Sequence, residues 1–177
     1  FDPRGLMNPG KKVDGPSMTE NLRLGPAYQP IQIMTHLDFS AQGGFMAAIE
    51  MCNGAAVCRK LKAGTMCPSY MATKDEQDTT RGRANALRNA LAGNMFAPEE
   101  FTSKEVYEVM DLCLSCKACK TECPSSVDMA KIKTEFLAQY QEKHGVSVRT
   151  RTMAYIHKLS RFSAPIAPLA NLAMRSP

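Results

Sequence analysis

Apolar residues recur along this chain with the period of a helix, and no segment of any length alternates apolar and polar with a period of two. The pattern sharpens after Gly43, where residues 45–51 form a short helical run leading into Cys52. Ala84, Leu87 and Leu91 fall at i, i+3 and i+7, which predicts a helix over 80–92, with Thr80 as its cap and Gly93 as its left-handed stop. Thr102 followed by Glu105 reads as a capping box, and the helix it opens turns Val106, Val109 and Met110 to the core and delivers the chain to Cys113. The clearest helix follows. Ser126 caps it, Asp128 sits where the helix dipole favours an anion, and Met129, Ile132, Phe136 and Tyr140 keep helical spacing until Gly145. A further helix is expected over 147–162, after which Pro165 and Pro168 break the chain before a short apolar tail, 169–174. The first 35 residues carry nine Pro and Gly, a density that forbids a long helix or central strand and predicts an irregular arm. The expected fold is all-α, with three parts: an arm and linker over 1–39, a helical domain over 40–145 and a helical extension over 146–177.

Composition narrows the classes. Apolar residues make up 44% of the 177, enough for one core, but aromatics are only 7% and Trp is absent, so that core leans on Leu, Ala, Met and Ile. No stretch approaches the roughly 20 apolar residues of a membrane helix, and no secretory signal opens the chain. The chain begins with Phe1, which suggests a piece of a longer polypeptide. The net charge of +5 is uneven: residues 126–162 hold seven cations against three anions. That segment fits a solvated helix face, or a docking face for an acidic partner or an anionic membrane surface. No basic stripe is interleaved with aromatics, so nucleic acid is not expected.

Seven cysteines are many for a chain with no sign of an oxidising compartment, and seven is odd for a disulfide framework. Four lie in the run Cys113-x2-Cys116-x2-Cys119-x3-Cys123-Pro124, the spacing of bacterial-type ferredoxins. Three thiolates two residues apart on one tight loop can each meet a different iron of a [4Fe–4S] cubane. The cysteine before the proline serves the neighbouring cluster. Zinc, which wants four ligands on one atom in separated pairs, fits this run poorly. An earlier group, Cys52, Cys58 and Cys67-Pro68, has Ala55 where a cubane motif would place its middle cysteine. Exchange of the Cys-Pro ligands then assigns Cys67 with Cys113, Cys116 and Cys119 to a [4Fe–4S] cluster, and Cys123 with Cys52 and Cys58 to a second cluster. Three thiolates suit a [3Fe–4S] cluster; a [4Fe–4S] cluster with water or another oxygen on its fourth iron, and an empty site, remain open. His36, His144 and His157 are scattered and read as packing or surface residues, and no catalytic residue stands out. Ser115 and Thr121 either donate to cluster sulfur or only cap their loop.

Two stretches carry a family resemblance. Met51-Cys52-Asn53-Gly54 with Cys58, Met66-Cys67-Pro68-Ser69 and Thr80-Arg81-Gly82-Arg83-Ala84 form one. Leu112-Cys113-Leu114-Ser115-Cys116-Lys117-Ala118-Cys119-Lys120 with Cys123-Pro124-Ser125 and Val127-Asp128-Met129 form the other. They resemble the two cluster segments of fused flavin/iron–sulfur dehydrogenases of D-2-hydroxy acids, the glycolate oxidase, D-lactate and D-2-hydroxyglutarate dehydrogenase type. The C-x5-C pair and the four-cysteine run also resemble the succinate dehydrogenase iron–sulfur subunit, in the opposite order. The opening residues 1–11 are similar to the closing segment of FAD-linked oxidases of the vanillyl-alcohol-oxidase type, which would put Asn8 and Lys11 near a flavin. The resemblance implies an α-helical ferredoxin fold and a flavin domain upstream in the same polypeptide. It further implies FAD in the intact protein, and electrons leaving toward a quinone or carrier-protein acceptor. It places the chain in the cytoplasm, with the inner membrane face as its one expected membrane contact. Two alternatives stand beside it: a ferredoxin-like subunit of another complex, of the quinone-linked glycerol-3-phosphate dehydrogenase or heterodisulfide reductase type, and a structural domain that metal only stabilises.

Overall fold

The computed structural model describes residues 2–7, 9–11, 14–22, 25, 28–92 and 101–175. Among them there is no strand, so the all-α expectation holds. The chain divides into two compact units, residues 1–139 and 140–177.

In the first unit, α1 (Phe45–Glu50) leads to Cys52, a single 3-10 turn holds Cys58, and α2 (Pro68–Thr73) starts directly after Cys67, with Pro68 in its first turn where no N–H is needed. α3 spans Thr80–Leu91, as its periodicity predicts, but its cap is Thr79, whose hydroxyl accepts from the Gly82 N–H at 2.7 Å. The expected stop at Gly93 lies outside the described residues. α4 (Lys104–Asp111) is capped by Ser103, which accepts from the Val106 N–H at 3.3 Å, one residue after the expected Thr102. α5 (Ala118–Glu122) is a short helix inside the four-cysteine run. α6 (Met129–His144) is capped by Asp128, accepting from the Lys131 N–H at 3.0 Å, because Ser126 is held at φ 50° and cannot enter the cap geometry.

Four phenylalanines form the core's spine. Phe39, Phe45, Phe101 and Phe136 meet edge to face in sequence, with centroids 5.1, 5.9 and 5.4 Å apart. They join the end of the arm, α1, the lead into α4 and α6. The arm is therefore anchored from Tyr28 onward. The buried Glu135 carboxylate accepts the backbone N–H groups of His36 and Leu37 at 2.9–3.1 Å, and the Ile31 N–H donates to the Leu91 carbonyl at 2.9 Å.

The second unit holds the last turn of α6 and α7 (Val148–Ala154), α8 (Ile156–Ser163) and α9 (Ala167–Arg175). The single helix expected over 147–162 is broken at Tyr155 (φ −97°, ψ 11°), and nothing in the local sequence forces the break. The segment read as a proline-broken tail is helical, because Pro165 and Pro168 each fall in a first turn. Every described residue from Gly145 onward is exposed. No described helix is long and apolar enough to cross a membrane.

Candidate metal centres

The two cysteine segments share a backbone design. In the first, Gly54 and Ala56 take left-handed φ of 80° and 61°, at the second and fourth positions after Cys52. In the second, Ser115 and Lys117 take 52° and 61° at the same positions after Cys113. A helical turn then receives Cys58 in one and Cys119 in the other. A left-handed conformation is costly for Ala, Ser and Lys, and such residues persist where the surroundings over-determine the loop. In this alignment Ala55 stands where the second loop has Cys116.

Two pockets collect the seven cysteines. The first encloses about 340 Å³, open mouth included, and Cys67, Cys113, Cys116 and Cys119 all line it. The second, about 260 Å³, is lined by Cys52, Cys58 and Cys123, with Ala55 on its wall. Met66 and Thr80, both buried, line the two pockets alike, so the pockets are neighbours that share these two residues. Among the described residues no His, Asp or Glu lines either pocket. Among the described residues no three such groups or cysteines converge on a single ion. Soft thiolates around a cavity, without convergence on one point, suit iron–sulfur clusters, where each thiolate holds a different iron.

Burial pushes the Cys119 thiol up, against the backbone N–H groups of Met129 and Ala130 at the start of α6, which favour the thiolate. Burial likewise raises Cys58, opposed by the Arg81 N–H and the Thr79 hydroxyl. Coordination to a metal removes such protons outright. Cys67 Sγ lies 3.4 Å from both the Ser69 hydroxyl and the Asp78 carbonyl and 3.7 Å from Arg83 Nη1. Thr121 donates to the Ala118 carbonyl at 3.1 Å, as a loop cap does, whereas Ser115 lines the first pocket.

Four polar residues around the pockets lie outside the cysteine spacing. Arg83, wholly buried, donates to the Val109 carbonyl, the Asp78 carbonyl and carboxylate, the Ser69 hydroxyl and Cys67 Sγ. Lys133, 9% exposed, holds the Asp111 and Cys113 carbonyls at 2.9 and 2.7 Å. Its ammonium pKa is lowered by burial, with Cys113 and Asp111 opposing. Glu122 bridges the two segments: its carboxylate pairs with Lys60 and accepts the Thr65 and Met66 N–H groups at 2.7 and 3.3 Å, just before Cys67. Arg88 donates to the Cys52 carbonyl at 3.1 Å and braces that loop on α3. A signal for the first two did exist. Arg83 and Lys133 fall on the buried stripes of α3 and α6, at helical spacing from Leu87 and Phe136. Of the residues expected near a flavin, Lys11 is exposed and Asn8 lies outside the described residues.

Comparison with known proteins agrees with this geometry. Residues 48–127 match the family described as a 4Fe-4S dicluster domain. The chain is 26% identical to D-2-hydroxyglutarate dehydrogenase of Pseudomonas putida, over 99% of this chain and 21% of that protein. It is 26% identical to the Escherichia coli enzyme of the same name, over 100% and 21%. It is 43% identical to the Escherichia coli glycolate oxidase iron–sulfur subunit, over 34% of this chain and 14% of that subunit. The chain spans about a fifth of the length of the dehydrogenases it matches. No solved structure matches it significantly. These matches fit an iron–sulfur segment of such an enzyme, an electron-relay piece of an oxidoreductase.

Proposed function

We propose that Cys67, Cys113, Cys116 and Cys119 hold a [4Fe–4S] cluster, that Cys52, Cys58 and Cys123 hold a [3Fe–4S] cluster, and that the segment relays electrons within a FAD-linked dehydrogenase of a D-2-hydroxy acid such as lactate, glycolate or 2-hydroxyglutarate. The carrying observation is the division of seven cysteines into two pockets, four and three, each drawing on both segments. Bound clusters supply one-electron steps, which match a two-electron flavin donor to one-electron carriers. The chain's own residues fix the thiolates. Arg88 braces the Cys52 loop, Glu122 ties the lead into Cys67 to α5, and Lys133 holds the entry to Cys113. The flavin comes from a domain upstream in the same cytoplasmic polypeptide, and the acceptor is a quinone or carrier protein. From Val146 onward the chain carries five Lys and Arg and no acidic residue, a charge that suits an acidic partner or an anionic membrane surface.

Iron and sulfide counts with electron paramagnetic resonance on anaerobically purified protein test the ligand sets. The expected result is a [3Fe–4S] signal when oxidised and a [4Fe–4S] signal on reduction. Ala55→Cys, which restores a thiolate at the position of Cys116 in the sister loop, converts the first signal to that of a cubane. A fully loaded Ala55→Cys protein that keeps its oxidised signal overturns the three-thiolate assignment.

A further inference from the structure

The two pockets differ in charge as well as in ligand count. Around the first lie two buried cations. Arg83 is wholly out of solvent, and its Nη1 reaches Cys67 Sγ at 3.7 Å while three other acceptors hold it in place: Ser69 Oγ at 3.1 Å, the Asp78 carbonyl at 2.5 Å and, through Nε, the Val109 carbonyl at 3.0 Å. Asp78, equally buried, pairs with Nη2 at 3.2 Å and balances the formal charge of the guanidinium. It leaves the N–H dipole on the sulfur side intact. Lys133 is different, because its ammonium is held by two neutral carbonyls, those of Asp111 and Cys113. It brings a buried cation to the backbone of a proposed ligand, with the Asp111 carboxylate near enough to favour its charge. The second pocket's counterpart to Lys133 is less buried: Arg88, half-buried, donates to the Cys52 carbonyl at 3.1 Å. That pocket's lining arginine, Arg81, is a quarter exposed and bound at 2.7 Å to Glu76, which Arg59 also pairs. Its donors to Cys58 are a neutral N–H and a hydroxyl.

We propose that Arg83 and Lys133 are potential-setting residues: by the Nη1–Sγ contact to Cys67 and the buried ammonium at Cys113, they raise the reduction potential of the centre in the first pocket selectively over that in the second. This rests on the ligand sets proposed above. One-electron reduction adds one negative charge to a centre already surrounded by thiolates, and at these residues no bond forms or breaks and no proton moves. A cation and an N–H donor in a dry site stabilise the more negative state, and the effect is large because little solvent screens it. The asymmetry then gives the pair of centres a built-in direction that ligand spacing alone does not supply.

The test is a redox titration of the cluster-loaded protein with dithionite as the electron source, followed by electron paramagnetic resonance. The signal altered by Cys116→Ser identifies the first-pocket centre. Lys133→Met should weaken reduction of that centre at least tenfold, 59 mV for a one-electron couple, and leave the other centre unmoved. Lys133→Arg should restore most of the shift. Arg83→Lys, which keeps the charge but removes the forked donors, should give a smaller shift of the same sign. Should Lys133→Met fail to take up iron, Lys133→Gln, which can still donate to the carbonyls, carries the same test. Equal shifts at both centres, or none at either, overturn the proposal while leaving the ligand sets standing. Wild-type protein that binds no iron overturns the ligand sets themselves.

Discussion

Among single residues, the buried and bridging charges outside the cysteines do most to position the pockets. The fully buried Glu135 accepts two backbone N–H groups of the arm, and Glu135→Ala removes this acceptor from both. A loss of about 1–3 kcal/mol is expected, read by urea unfolding of the loaded protein. Burial raises the Glu135 carboxyl, but its donors Gln139, Leu37 and His36 outweigh that and hold it below the usual range. Glu122 goes further, held down to about 2 by Lys60 and by the Thr65 and Met66 N–H groups. A carboxylate lowered in the folded state stabilises fully above its unfolded pKa of about 4.3 and loses that contribution as pH falls toward 2. Glu122→Gln should therefore bleach the visible clusters at a lower temperature than wild type, by the same margin at pH 6 and pH 8. A margin that grows between those values would assign the effect to another group. None of these residues has a motif of its own. The cysteines were legible because iron chemistry fixes their spacing. Lys133 and Glu135 were legible only as charges on apolar stripes, and Arg83 also within the 80–84 stretch of the family resemblance, while their partners are separated from them by up to 99 residues.

At the level of elements, periodicity located α3, α4 and α6, and the caps were each displaced by one or two residues. Thr79-Thr80 and Thr102-Ser103 each offer two competent caps in succession, and the structure uses Thr79 in one and Ser103 in the other. Helices of five or six residues inside the cysteine segments show no period, and α2 and α5 were not foreseen. Asp128→Ala removes the α6 cap and the 3.3 Å pair with Lys120, and should cost about 1 kcal/mol by chemical denaturation. Gly82 shows why a helix-weakening residue sits in the first turn of α3. A Cβ there would stand 2.1 Å from the Glu76 carbonyl oxygen. Gly82→Ala should destabilise by about 1–3 kcal/mol or more, since backbone and not a flexible side chain must give way. Thermal unfolding no lower than wild type would show that the turn at Glu76 moves freely.

For the molecule as a whole, fold class was legible in sequence because helical period acts over short spans, and the four-and-three grouping of the cysteines in the pockets is the one the spacing suggests. The aromatic spine was not legible. Sparse aromatics pointed to an aliphatic core, yet Phe39, Phe45, Phe101 and Phe136 come from across the chain to form one column. Since proposed ligands flank or lie within α1, α2, α4 and α5, whose buried residues pack in the core, iron release by a chelator should lower helicity and visible absorbance together, checked by circular dichroism in one titration. Retained helicity after complete iron loss would show that packing alone sustains the fold.

The first pocket takes one cysteine from the earlier segment and three from the later, and the second takes two from the earlier and one from the later. On the proposed ligand sets, cleavage anywhere between Cys67 and Cys113 would thus leave two fragments, neither owning a complete set, so each centre would depend on the two halves staying together.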